Sequence, residues 1–391
     1  MSADQGDRAD RSREAARLGE KRIKLVLSAE RLTGHRTGVA RYLSNLLKEW
    51  SGSALPFAQV AVLAPQRLDL SDCFLQVAGG RRLPPLLWEQ VWMPLQARRL
   101  RADLLFCPSN VMPIFYPGRC ALTIHDAIQE EMPETMPFSS RFRRAPLLRW
   151  SARRASHVLT DSQASADAIR RYFRVPAERI DIIPLAASAR FSPEQSGREE
   201  GVRERLELGS DPLVLFVGKL SLRRNVPSLI EAFARLVEEH CLPYRLLLVG
   251  INHMRLPVRN LARQLRCEER VHHVEFVPEE DLAVLYRTAQ LFVYPSETEG
   301  FGLPVLEAMA SGTPVITLDR PIFHEVAADA AIFLEAARPE LLASAMASLA
   351  KDPAARERLR SAGLLRARQF SWTATAARTI EVLARLAGSP A

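Results

Sequence analysis

The 391-residue sequence has no apolar run of the roughly 18–20 residues that a membrane-spanning helix needs. It has only five cysteines, Cys73, Cys107, Cys120, Cys241 and Cys267, with no C-x-x-C pair among them. An odd, scattered set disfavours a disulfide framework and points to reduced thiols in the cytoplasm. Cys107 and Cys120 lie in apolar runs and read as small core residues. His272 and His273 have no cysteine at ligand spacing, so no metal site is expected. Residues 1–20 are charged and lack an apolar core. They read as a disordered leader rather than a secretory signal. Neither G-x-G-x-x-G nor G-x-x-x-x-G-K-[ST] occurs, which disfavours a dinucleotide site and a P-loop.

What is present is an ordinary globular composition, 47% hydrophobic and 25% charged, with length for two domains. The formal net charge is +8 and is unevenly placed: residues 81–174 hold fifteen arginines against eight acids. Such a stretch suits an anionic partner, or is a solvated arginine-rich face. Within it, SSRFRRAPLLRWSARR (139–154) interleaves Phe142, Leu147, Leu148 and Trp150 with six arginines, the pattern of an interfacial segment on an anionic membrane.

Short apolar runs alternate with amphipathic stretches. The expected strands are 23–27, 60–64, 104–107, 121–124 and 158–160, then 213–217, 245–249, 271–276, 291–294, 315–318 and 331–334. Continuous apolar runs of this length fit parallel strands buried on both faces. Asn225 stands at the N-cap of a helix over 226–239. The alternation pauses over residues 184–212, rich in Pro, Ser, Gly and charge, which reads as a linker. The expected class is α/β, with two Rossmann-like doubly wound domains over 21–190 and 191–372. A last helix over 373–391 would pack back toward the first domain.

Four segments carry candidate chemistry. In ETEGFGLPVLEAMASGTPVI (297–316), Glu299 and Glu307 are eight residues apart around a glycine pair and a helix start. Glycines admit a ligand close to the backbone, and a helix N-terminus suits phosphate. A carboxylate accepts hydrogen bonds from sugar hydroxyls. In LVLFVGKLSLRRNVPSLIEAF (213–233), Lys219, Arg223 and Arg224 follow a strand, where cations can neutralise a leaving diphosphate. His125 and Asp126 end another strand in CALTIHDAIQEEMPE (120–134). Gly34 and Gly38 shape the loop and helix start of LTGHRTGVARYLSNLL (32–47).

Together with LLWEQVWMPLQARRLRADLLFCPSN, TDSQASADAIRRYF and RFSP, these segments resemble family 4 of the retaining glycosyltransferases over about residues 22–388. The resemblance implies the GT-B fold, with two Rossmann-like domains facing a cleft. It implies a retaining transfer of a hexose, GDP-mannose favoured as donor, to a glycan or polyprenyl-diphosphate-linked acceptor in surface polysaccharide synthesis. By resemblance Glu299 contacts the transferred sugar near the reacting carbon and Glu307 binds the ribose. Lys219 and Arg224 hold the diphosphate. Amides of Phe301, Gly302 and Leu303 face sugar and diphosphate, and Gly38 lies beside the phosphates. Val277 and Leu282 line the base, and His125 is a cleft histidine with a catalytic part. The nucleotide-sugar is a substrate, and no cofactor or metal is implied. Three positions depart from the pattern: Arg224 replaces a common lysine, Glu275 a common glycine, and Leu185–Ser188 a common Asn-Gly-Val-Asp. The competing readings are a sugar-nucleotide epimerase of the same fold and a non-catalytic protein binding nucleic acid or an anionic surface. A nucleic-acid partner is disfavoured, because it leaves Glu299 and Glu307 unexplained.

Overall fold

The structure, a computed structural model, describes residues 23–33, 38–135, 145–252 and 254–388. The leader, Gly34 and Phe142 lie outside the described residues.

Two parallel sheets form the frame. The first contains β1 (Lys24–Ser28), β2 (Gln59–Ala64), β3 (Leu75–Ala78), β4 (Leu104–Cys107), β5 (Cys120–Thr123), β6 (His157–Thr160) and β7 (Ile180–Ile182). Their spatial order is 3-2-1-4-5-6-7. The second contains β8 (Leu213–Val217), β9 (Arg245–Val249), β10 (Val271–Val274), β11 (Leu291–Tyr294), β12 (Val315–Leu318) and β13 (Ala331–Leu334), in order 10-9-8-11-12-13. Each sheet reverses direction beside its first strand, at β1/β4 and at β8/β11. Ligands of doubly wound sheets bind outside the strand C-termini at that switch point.

The strands are buried because both sheet faces are covered by helices. Side chains alternate across the sheet. Leu25 and Leu27 face one side with Tyr42, Leu46 and Trp50, while Val26 faces the other with Trp88, Met93 and Cys107. β3 and β7 were not expected from the sequence. Both are short edge strands, and neither contains a fully buried residue, so neither leaves a continuous apolar run. The strand expected to reach Phe276 stops at Val274, because its one neighbour β9 ends opposite it, at Val249. Phe276 is exposed.

The helix Trp372–Gly388 lies against the first sheet's helices. Trp50 Nε1 donates to the Ala376 carbonyl at 3.2 Å and Arg119 Nη1 to that of Leu386 at 2.9 Å. In the connecting segment, Phe191 packs edge-on against Tyr286 at 5.5 Å between centroids.

Asn225 holds the N-cap position of the helix Val226–Glu238, but its side chain does not cap. Its φ is +49°, a conformation that asparagine tolerates better than most residues. Its Nδ2 donates instead to the Pro295 carbonyl at 3.0 Å and to Glu297 Oε1 at 2.8 Å. The loops after β8 and β11 are therefore fastened together at the switch point.

Candidate functional site

The loop after β11 carries Glu299 toward the loop after β8. Glu299 Oε1 accepts from Arg223 Nη1, Arg224 Nε and the Tyr294 hydroxyl, each at 2.8 Å, and from Ser296 Oγ at 2.9 Å. Among the described residues its Oε2 accepts only from Arg224 Nη2, at 3.2 Å, and is the less crowded oxygen. Burial works to raise the carboxyl's pKa. The neighbouring Arg223 and Arg224 and the tyrosine hydroxyl outweigh it and hold the group well below the usual range. At neutral pH Glu299 is therefore a carboxylate, set against two largely buried arginines.

The chain then enters the helix Leu303–Ala310 through Gly302, whose φ of +88° suits glycine. Pro304 sits in the first turn, and the opening amides lack partners within the helix. Glu307, one turn in, is buried. Its Oε1 accepts from Arg41 Nη1 at 2.8 Å and its Oε2 from the Tyr286 hydroxyl at 3.0 Å. Burial raises its pKa, with Arg41 and Tyr286 pulling the other way. Arg41 belongs to the helix Gly38–Ser51, which follows β1 in the first domain. It also lies 3.5 Å from Glu279, which Arg190 approaches at 3.2 Å. Both switch points thus meet across one cleft.

The domains touch closely at Gly300. A Cβ there would fall 2.1 Å from the His125 carbonyl oxygen. Ser162 Oγ and Ser165 Oγ donate to the Gly300 carbonyl at 2.6 and 3.0 Å. Glu325 accepts from the amides of Gln163 and Ala164, both at 2.7 Å. Beside this contact is a cavity of about 360 Å³ bordered by Asp126, Glu131, Tyr172, Thr298, Glu299 and Arg320. Asp126 accepts from the Ile128 amide at 3.2 Å, and burial raises its pKa.

Residues 198–366 match the family described as glycosyl transferases group 1, and residues 36–188 match glycosyltransferase family 4. The O-antigen chain mannosyltransferase B of Escherichia coli is 32% identical over 379 residues, covering 92% of this chain and 98% of that protein. The chain belongs to glycosyltransferase family 4. Solved structures with the same GT-B fold include HepE of Anabaena with UDP-glucose (TM-score 0.74, 18% identity, 93% of this chain and 100% of that one). WaaG, a glycosyltransferase involved in lipopolysaccharide biosynthesis, superposes with a TM-score of 0.72 at 17% identity over 92% and 99% of the two chains.

In this family 4 chain, Glu299 meets Arg224 and Glu307 meets Arg41 of the first domain, while Gly302 and Leu303 open the helix that carries Glu307. Lys219 follows Gly218 at the end of β8 and is exposed, and Gly38 opens the helix that carries Arg41. The Phe301 side chain turns away, edge-on to Phe370 at 5.8 Å, so only its backbone is available to a ligand. Val277 and Leu282 are buried in the core.

The His125 ring is held between two acceptors: Nδ1 lies 2.6 Å from Asp161 Oδ2, and Nε2 lies 3.3 Å from the Pro108 carbonyl. Burial opposes a charged ring, and Asp161 outweighs it to raise the pKa. The backbone carbonyl of His125 lies against Gly300, where the two domains meet.

Sequence reasoning missed Arg41 and Asp161 as site residues, while Arg223, named with Arg224, joins it on Glu299. Arg41 lies one turn into the helix that Gly38 opens. Asp161 closes β6 as His125 follows β5. Among the described residues, no three His, Cys, Asp or Glu side chains are grouped to hold a metal ion.

Proposed function

We propose that this glycosyltransferase moves a hexose, mannose from GDP-mannose, onto a glycan or polyprenyl-diphosphate-linked glycan with retention of configuration. The observation that carries the reading is the gathering of Glu299, Arg223, Arg224 and Glu307 at the second sheet's switch point, with Arg41 from the first sheet's switch point on Glu307. The donor lies along the second sheet. Glu307 takes the ribose hydroxyls, since each of its oxygens accepts one bond and keeps further acceptor capacity. Arg224 and Lys219 take the diphosphate, assisted by the amides of Phe301, Gly302 and Leu303 and by the Gly38 loop. Val277 and Leu282 support the base. As the bond to the anomeric carbon breaks, these cations stabilise the leaving nucleoside diphosphate, so no metal is needed. Glu299 orients the sugar through Oε2 while it fixes both arginines. His125 positions the β5 loop. The acceptor enters the cavity beside Asp126 and Glu131, whose carboxylates can accept from its hydroxyls.

The mannosyl assignment draws on the E. coli mannosyltransferase, and the MMP α-(1→4)-mannosyltransferase of Mycolicibacterium hassiacum is 31% identical over 274 residues. The Anabaena structure holds UDP-glucose, so the base and sugar need a direct test. Thermal-shift titration with GDP-mannose, UDP-glucose and UDP-GlcNAc provides it. GDP-mannose alone should raise the melting temperature, by linkage to binding. A larger shift with a UDP-sugar overturns the donor assignment. With a lipid-linked acceptor, the enzyme would work as a peripheral protein on the cytoplasmic face of the membrane.

A further inference from the structure

The first domain carries an apolar surface that the site does not use. Residues 85–99 form one continuous helix that passes through a π-turn at Trp88–Trp92. One side is buried through Trp88, Met93 and Ala97. The other exposes Leu87, Val91 and Leu95 at i, i+4 and i+8, each about half accessible, and Leu86 beside them. The loop after β4 lies alongside: the Ile114 amide donates to Gln90 Oε1 at 2.8 Å. At its tip Phe115 is 86% exposed. The same loop is tied to the helix Ala145–Arg154 by the Met112 amide, which donates to Ser151 Oγ at 3.2 Å. Two helices and one loop therefore share a face of the first domain. Among the described residues nothing covers its apolar centre.

The rim of this face is basic. Arg81 and Arg82 precede the helix 85–99, and Arg98, Arg99 and Arg101 end it, all exposed. Trp150, Arg149, Arg153 and Arg154 line a groove on the neighbouring helix. The acids nearby are engaged: Glu130 accepts from Arg149, and Glu89 lies 3.9 Å from Arg31. An apolar strip flanked by exposed arginines, of which Arg149 is paired with Glu130, matches the boundary between acyl chains and anionic headgroups. It fits a second copy poorly, because the arginine rims would then face each other.

We infer that this face, centred on Leu86, Leu87, Val91, Leu95 and Phe115, docks the protein on an anionic lipid bilayer. The inference deepens the peripheral placement proposed above but uses no donor-site residue. It also extends the reading of segment 139–154. In that segment's helix Leu148 is buried in the core, Leu147 and Trp150 are half-buried and Arg149, Arg153 and Arg154 are exposed, so helix 85–99 supplies the larger apolar contact.

Co-sedimentation of the full chain with sucrose-loaded vesicles tests it, comparing phosphatidylcholine alone with phosphatidylcholine plus phosphatidylglycerol. Binding should require phosphatidylglycerol and weaken with salt. Neutralising an arginine at the surface should weaken partitioning about fivefold, so Arg98→Gln with Arg99→Gln should cost about 25-fold. Leu87→Ser, Val91→Ser and Leu95→Ser together should cost about tenfold or more. Their melting temperature should stay near wild type, because these side chains are exposed. GDP-mannose binding, measured on the same samples, should not change, so failure of the donor reading and failure of docking are separable. No binding to anionic vesicles, or undiminished binding by the triple variant, overturns the inference. A dimer in solution that the triple variant dissociates, with no vesicle binding, assigns the face to a second copy and also overturns it.

Discussion

Replacing Glu299 by glutamine keeps the shape of the side chain and removes its charge. Arg223 and Arg224, both close to fully buried, then lose the anion that each touches at 2.8 Å. Breaking a buried ion pair from one side costs about 3–5 kcal/mol. For a domain of this size that corresponds to roughly 6–20 °C in melting temperature. The pH dependence has a definite sign. Glu299's folded pKa is depressed below its ordinary 4.5, so its stabilisation is fully present above that value. It is lost as pH falls below it toward the folded pKa. The gap between wild type and Glu299→Gln should therefore be constant from neutral pH to about pH 5 and shrink on further acidification. Sugar transfer should fall about 100-fold or more, as for loss of a preorganised transition-state group. Binding of GDP alone should hold or tighten, because the arginines are released to the diphosphate. Differential scanning fluorimetry across pH, with GDP titration, measures all of this. Equal melting temperatures at pH 7, or a gap that does not change below pH 4.5, would refute the reasoning.

Glu307→Gln should weaken donor binding about 10–150-fold, the worth of hydrogen bonds to a charged group, in calorimetric titration. Its melting temperature should move little, because Arg41 keeps Glu279 within 3.5 Å. Gly300→Ala places a methyl group 2.1 Å from the His125 carbonyl and should hold the domains apart. Small-angle scattering should show a larger radius of gyration, and transfer should fall much more than donor binding does. Chelation with EDTA should leave transfer unchanged, since the proposal puts arginine, lysine and helix amides on the diphosphate.

The strands around each switch point were legible because burial on both faces writes them as uninterrupted apolar runs, as in Leu213–Val217 and Leu291–Tyr294. β3 and β7 were not, since a short, half-solvated edge strand has no such run. Glu299 and Glu307 stood out because glycines and a helix start surround them. Their partners did not stand out: Arg41 is 266 positions from Glu307, and only the docking of the two domains joins them. The same holds for His125, whose ring is claimed by Asp161 from the adjacent strand. In segment 139–154, composition could not sort the side chains one by one: Leu148 is buried in the core, while Leu147 and Trp150 are half-buried.

The most direct test of the central claim is calorimetric titration of the full chain with GDP-mannose, repeated on a variant combining Glu307→Gln and Arg224→Ala. The account predicts saturable binding at a single site in the wild-type chain and none in the variant. Failure to bind any nucleotide-sugar, or equal binding by the two proteins, would contradict it.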